Sequence, residues 1–447
     1  MALTATPYVL SQSPPSVKIG SSDTLYHSFL IVLGIGLLGL LALVKSQAVN
    51  ALWVSPLFLS YTLLVTTFEL SRVLGAALYA RHISPALATA EAIEEPYNPT
   101  ISFVIPCKNE EGAIRKTITK CFEAEYPAEL VEVIVINDGS TDGTKDIILE
   151  VQKEYPQLVF VDWEVNKGKR AGMAEGFVRA KGEIIIQLDS DSYIEPSSVR
   201  KIVDPFRDPM VGAVCAHADP ENADENFLTR MQAAYYFMSF RILKAAESVF
   251  YTVFCCSGCS SAYRKDLVLP VLDVWLEEKF LGLPVTWGDD RALTNWVLKL
   301  GYDTIYTDRA QAYTICPNNL KQLFKQQVRW KKGWFVNSLN ASRFVLNKRP
   351  FIAFTYFFPL IFITLITPIM AVKALVYNPI VHGAWPLYYV LGVYLVAAII
   401  TTYYRYIARD NKYWPYIFAW STLNLVVLSF VLFYALATIQ NRRWGTR

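Results

Sequence analysis

Two carboxylates stand side by side in Trp287-Gly288-Asp289-Asp290-Arg291, with a glycine before them and a fixed cation after them. Adjacent carboxylates repel, so one tends to hold its proton more tightly than a free aspartate. That suits a general base, which takes a proton from an attacking hydroxyl. The plain alternative is a helix N-terminus, whose free N–H groups aspartates cap. A second acidic pair, Asp189-Ser190-Asp191, places carboxylates one residue apart, where they can hold Mg2+ or Mn2+ against a diphosphate. Its ordinary counterpart is a turn. Asp138-Gly139-Ser140 can accept a hydrogen bond from a nucleobase or ribose, or simply end a strand. Asn166-Lys167-Gly168-Lys169-Arg170 sets cations and a glycine before a helix, which favours phosphate; a solvated basic loop reads the same way. Gln326-Gln327-Val328-Arg329-Trp330 supplies an amide, a cation and an indole plane. An indole stacks on the flat face of a sugar and an amide bonds its hydroxyls, although an interfacial anchor has the same composition. Ser257-Gly258 reads as a tight loop near an acceptor.

The surrounding pattern predicts what positions these groups. Short apolar runs at 101–106, 131–136, 158–161 and 183–188 alternate with helical patterns at 110–124, 142–152 and 167–180. This is the spacing of a doubly wound, mostly parallel sheet, whose ligands bind beyond the carboxyl ends of the strands. The acidic clusters fall at those ends. Hydrophobic residues make up 53% of the 447, high for a soluble protein. Long apolar runs at 26–44, 52–78, 351–376, 387–404 and 414–439 account for the excess. Glu69 and Arg72, three apart on one helix face, read as an ion pair near the membrane surface; the sharper alternative is a charged pair facing a polar conduit. Basic residues flank 351 and follow 404 and 439, which puts the middle of the chain in the cytoplasm. The same rule wants the C-terminus inside, so 414–439 is either a short hairpin or a stretch lying along the interface. A net charge of +3 gives no argument for nucleic acid, and seven cysteines confined to the middle of the chain read as reduced thiols. The division expected is a disordered tail at 1–24, a transmembrane hairpin at 25–82 and a catalytic domain at 97–317. Amphipathic interface helices at 318–348, a C-terminal membrane region at 350–440 and a basic tail at 441–447 follow.

Taken together, Asp138, Asp189-Ser190-Asp191, Gly288-Asp289-Asp290 and Gln326-x-x-Arg329-Trp330 resemble the processive membrane glycosyltransferases of family 2, the group of cellulose, chitin and hyaluronan synthases. The likeness is closest to hyaluronan synthases. It rests on Asn166-Lys167-Gly168-Lys169-Arg170, Ser257-Gly258, Gly288-Asp289-Asp290-Arg291-x-Leu293-Thr294-Asn295 and Gln326-Gln327-x-Arg329-Trp330. The resemblance implies an α/β glycosyltransferase-A domain, cytoplasmic and inserted between transmembrane helices of a multi-pass plasma-membrane protein. It implies inverting transfer from UDP-sugars to a growing polysaccharide, with Mg2+ or Mn2+ on Asp191 and Asp189. Asp290, with Asp289, would be catalytic. Asp138, Lys169, Arg170, Asp189, Arg329 and the terminal Arg447 would hold the UDP-sugar; Ser257, Gly258, Gln326 and Trp330 would hold the acceptor. Two positions depart from the pattern: Ala292 stands where the family usually has His, and Trp296 where it has Arg. Both are beside the base, which leaves a neutral polymer such as chitin as the alternative to hyaluronan. A non-processive transfer to a lipid and an inactive transferase-like scaffold are the other rivals.

Overall fold

In a computed structural model the described residues are 21–51, 56–91, 97–383 and 385–441. The tail at 1–20 and Arg447 lie outside them. α1 (Ser21–Ala51) and α2 (Pro56–Leu78) are the first two helices, and α1 packs along the helix Leu387–Ile407. Isoleucine- and valine-rich β1 (Ile101–Cys107) follows, buried at every position. It is joined through α3 (Ile114–Phe122) to β2 (Val131–Asp138), through α4 (Thr144–Glu154) to β3 (Val159–Trp163), and through α5 (Lys169–Arg179) to β4 (Ile184–Gln187). These four strands are parallel, in the spatial order β3-β2-β1-β4. The chain winds outward from β1 to β3, then returns to the other side of β1. The crevice between the ends of β1 and β4 is therefore a topological switch point, where ligands of such sheets bind.

The rest of the sheet is less regular than the sequence pattern predicts. β5 (Ser192–Ile194), β6 (Val211–Pro220), β7 (Ser261–Arg264) and a long strand at Asp303–Thr314 extend it to eight strands. β7 runs antiparallel to both β4 and β6, and β5 antiparallel to Asp303–Thr314, so the sheet is mixed. α6 (Phe227–Met238) continues through a wide turn at Ser239–Lys244 into Ala245–Ser248. Ala246 of that segment packs against Gly75 of α2, where a Cβ would come within 2.7 Å. α7 (Asp289–Lys299) and α8 (Leu320–Ser342) follow, and α9 (Phe358–Val372) and α10 (Leu387–Ile407) complete the upright apolar helices.

Among the described residues five helices are long and apolar enough to cross a membrane: Thr24–Gln47, Ser60–Ala88, Pro350–His382, Leu387–Ile407 and Tyr416–Ala437. The last is one helical stretch with a wide turn at Asn424–Leu428, not a hairpin. Both its ends are tied to the region outside the apolar helices. Lys412 pairs with Asp224 at 2.6 Å just before it, and Lys332 of α8 donates to the carbonyls of Thr438 and Asn441 at 2.6 and 3.0 Å just after it. That is the geometry of a segment lying along the catalytic domain. The expected ion pair of Glu69 with Arg72 is replaced by another arrangement. Arg72 stacks over the rings of Phe68 and Tyr356, 5.1 and 4.4 Å from their centroids, and Glu69 lines the central cavity.

Candidate active site

β4 delivers Asp189 and Asp191 to the switch point, and both line one large cavity of about 1230 Å3. The Asp189 amide donates to the Gly258 carbonyl at 2.9 Å, which brings the 255–258 loop against the acidic turn. Gly258 lies close against it, and a Cβ there would come within 2.8 Å of an Asp189 carboxylate oxygen and displace that side chain. Lys169, at the start of α5, forms an ion pair with Asp189, which also accepts from Gln187 Nε2 at 3.3 Å. Burial alone would raise the Asp189 pKa. Lys169 and then Arg329 more than reverse this, and the carboxyl lies below its ordinary value. Burial likewise opposes the Lys169 charge, and Asp189 outweighs it, so the ammonium is held above its ordinary value. Asp191 takes the Ser192 hydroxyl on Oδ1 at 3.2 Å.

The second acidic pair starts α7. Gly288 precedes it in a left-handed conformation, φ 69°, and meets Gly333 of α8 so closely that a Cβ would come within 2.9 Å of the Gly333 Cα. Two glycines thus press the start of α7 onto α8. The two carboxylates take different partners. Asp289 is buried, and its Oδ1 accepts from Arg170 Nε at 2.8 Å. Asp290 faces the cavity, with Oδ2 accepting from the Gly258 amide at 3.2 Å and from the Cys255 thiol at 3.6 Å. Burial, with Asp290 adding to it, pushes the Cys255 pKa up to about 12, so the thiol keeps the proton it donates.

Several sequence expectations meet at this cavity. Lys169, Asp189, Asp191, Ser257, Gly258, Asp289, Asp290, Gln326, Arg329 and Trp330 all line it. Two do not. Asp138 is buried, and its carboxylate accepts from the amides of Lys167 at 2.6 Å and Gly168 at 2.9 Å. It shapes the loop that presents Lys169. Arg170, expected at phosphate, is turned away into a buried network. Besides Asp289 it reaches the Trp275 carbonyl at 2.8 Å and Glu278 at 3.1 Å, and it packs over the Trp275 ring. Trp296, one of the two departures, donates its indole N–H to Glu278 at 3.1 Å and so belongs to the same network. Ala292, the other, is buried. Neither projects into the cavity.

Lys244, which the sequence did not single out, and Thr294, named there only as part of a motif, also build the site. Lys244 of the extended α6 donates to the Ser257 hydroxyl at 2.7 Å and fixes the acceptor loop. Thr294 clamps α7 to that loop, donating to the Asp290 carbonyl at 2.7 Å and accepting from the Cys256 amide at 3.0 Å. Beyond the acidic groups the cavity continues between the apolar helices, past Glu69, Tyr61, Thr62, Thr367 and Tyr389. All seven cysteines are free, which fits the reduced thiols expected.

This arrangement matches known proteins in sequence and fold. Residues 102–269 match the model of glycosyl transferase family 2. A hyaluronan synthase of Streptococcus pyogenes is 31% identical over 360 residues, spanning 79% of this chain and 84% of its own length. The chain belongs to glycosyltransferase family 2, close to the hyaluronan synthases. An N-acetylglucosaminyltransferase of Rhizobium meliloti (strain 1021) is 29% identical, over 87% of this chain and 89% of that protein. Among solved structures, a mannosyltransferase of Pyrobaculum calidifontis, in complex with GDP-Man and Mn2+, superposes with a TM-score of 0.57. It covers 86% of this chain and 100% of that one at 18% identity, which is a likeness of fold. The catalytic domain is thus of the glycosyltransferase-A type and the protein is a glycosyltransferase.

Proposed function

We propose that the protein is a processive polysaccharide synthase of the plasma membrane, building hyaluronan from UDP-N-acetylglucosamine and UDP-glucuronate on its cytoplasmic side and passing the chain outward between its apolar helices. The observation that carries this reading is the continuity of the cavity. One space of about 1230 Å3 joins Asp191 and Asp290 to hydroxyl-bearing side chains of the spans. A transferase acting on a small acceptor has no need of such a continuation. The relatives' identity supports the polymer.

In this mechanism Asp290 takes the proton of the acceptor hydroxyl, which attacks the anomeric carbon in line and inverts it. The Gly258 amide and Cys255 thiol hold the carboxylate in place for this. Trp330 stacks on the terminal sugar and Gln326 bonds its hydroxyls. Lys169 and Arg329 face the diphosphate. The donor set fits Mg2+ or Mn2+: Asp191 offers carboxylate oxygen at the cavity wall, with Asp189 beside it. A metal held by one or two carboxylates and substrate phosphates needs no all-protein cage. Accordingly, the described residues hold no cluster of three or more metal-binding side chains. When bound, such a metal would neutralise the departing diphosphate.

The test supplies UDP-N-acetylglucosamine and UDP-glucuronate to the purified protein, singly and together. Polymer only with both, degraded by hyaluronidase, is the expected result. Polymer from UDP-N-acetylglucosamine alone would replace hyaluronan with a chitin-like product.

A further inference from the structure

α8 carries the sugar-binding Gln326 and Trp330, four apart and so on one helix face. Beside this runs a second stripe, four and then three residues apart: Gln327, Lys331 and Trp334, all three lining the cavity. Gln327 is 5% exposed and its side-chain nitrogen has no hydrogen-bond partner. A buried donor left unpaired is costly and marks a place where a ligand completes the structure. Among the described residues, Lys331 has no carboxylate partner, and the charge that acts on it is another cation, Arg291, on the cavity wall next to Asp290. Two acids act on Arg291 and hold its charge, Glu247 and Asp290; Glu247 is also engaged by the Tyr356 hydroxyl and by the Phe254 amide at 3.0 Å. Burial and Arg291 both lower the Lys331 pKa, so an anion placed between the two cations would be stabilised.

The helix itself says which anion this is. At 3.6 residues per turn, Lys331 lies about 200° around α8 from Arg329, measured through Trp330. Arg329 is the cation that acts on Asp189, at the diphosphate side. Lys331 therefore sits at the opposite border of the cavity-facing arc, with Trp330 between the two. From Gln327 to Trp334 the helix rises by about 10 Å, room for roughly two sugar rings. We propose that Gln327, Lys331 and Trp334, with Arg291 opposite, form a second subsite that binds the carboxylated sugar of the growing chain. This deepens the reading of the site as a polymerase and rests on it. Lys331 and Arg291 pair with the carboxylate, Gln327 donates to a neighbouring oxygen, and Trp334 stacks on the ring.

The test measures binding of two hexasaccharides to the full-length protein in lipid nanodiscs. One alternates glucuronate and N-acetylglucosamine; the other is N-acetylglucosamine throughout. Wild type is expected to prefer the first by about tenfold or more, a preference that falls to within about twofold in Lys331→Gln and returns in Lys331→Arg. The Lys331→Arg variant also shows that the position tolerates substitution. Equal binding of the two by a wild type that polymerises both sugars, or equal weakening of both in Lys331→Gln, overturns the subsite and leaves the polymerase standing. A wild type that makes polymer from UDP-N-acetylglucosamine alone overturns the hyaluronan reading and the subsite with it.

Discussion

The two acidic motifs of the cavity are built on one plan. Each contains two aspartates, and in each the first is held by a cation from the start of α5: Lys169 takes Asp189 and Arg170 takes Asp289. In each, the second aspartate, Asp191 or Asp290, lines the cavity. The difference is burial. Lys169 and Asp189 lie at the cavity wall with side chains 16% and 32% exposed, whereas Arg170 and Asp289 are each only 8% exposed. The first pair is placed to exchange partners with a charged substrate. The second is a fixed strut beneath the base, since a buried charge that loses its partner is strongly unfavourable. Adjacent cations in one motif thus have separate tasks, one toward the ligand and one toward the scaffold.

The comparison breaks most visibly at the cavity-facing aspartates. Asp290→Asn keeps size and hydrogen bonding but removes the base. Turnover is expected to fall by about a hundredfold or more while UDP-sugar affinity is retained. Near-normal turnover would assign the base elsewhere. Asp191→Ala is expected to abolish dependence on divalent metal together with most activity, by roughly a hundredfold. Measuring wild-type rates in excess chelator checks the premise, because full activity there removes the metal from the mechanism.

Much of this was legible from the chain alone. The order and spacing of the acidic clusters, the alternating strands and the apolar runs follow from local pattern, and the structure places Asp138 and Asp189-Ser190-Asp191 at strand ends as that pattern implies, with Asp289 and Asp290 at a helix start. What local pattern could not show is which way a side chain turns. Asp138 and Arg170 have the residue types of a nucleotide site, yet Asp138 is taken up by backbone amides and Arg170 by buried carboxylates and a carbonyl, with its Nη2 left unbonded. Asp138 accepts from a loop 29 residues away and Arg170 binds a carboxylate 119 residues away. The antiparallel β7 and the Gly288–Gly333 contact are also products of tertiary packing. Lys244 was hidden inside a helix that carries none of the sequence motifs. Ala292 and Trp296 looked like changes beside the base; the structure instead puts Ala292 in the core and Trp296 on Glu278, behind Arg170.

The buried strut makes a prediction of its own. Arg170→Gln leaves Asp289 and Glu278 without their shared cation, and stability is expected to drop by roughly 3–5 kcal/mol. Denaturation of the purified protein would show it as a lowered midpoint. A midpoint unchanged from wild type would mean that the network carries no strain-bearing role and that Arg170 is free to serve a ligand after all.

The exposed pair predicts the smallest effect and the most specific one. Lys169→Gln removes a cation from the cavity wall, and the KM for UDP-sugar is expected to rise by about tenfold with little loss of stability. Its pH behaviour distinguishes it from Asp290. The Asp189 pKa is depressed, so its contribution is present above the ordinary aspartate value and is lost only as pH falls through that lowered pKa. The Lys169 pKa is raised, so its contribution is complete below the ordinary lysine value and is lost as pH rises through the raised one. From about pH 5 to pH 10 the pair is fully charged. Substituting Lys169 should therefore shift the whole pH–rate profile down without changing its shape. An acid or alkaline limb that moves between pH 6 and 9 in Lys169→Gln would show that this pair, and not the cavity-facing carboxylate, sets the titration of the site.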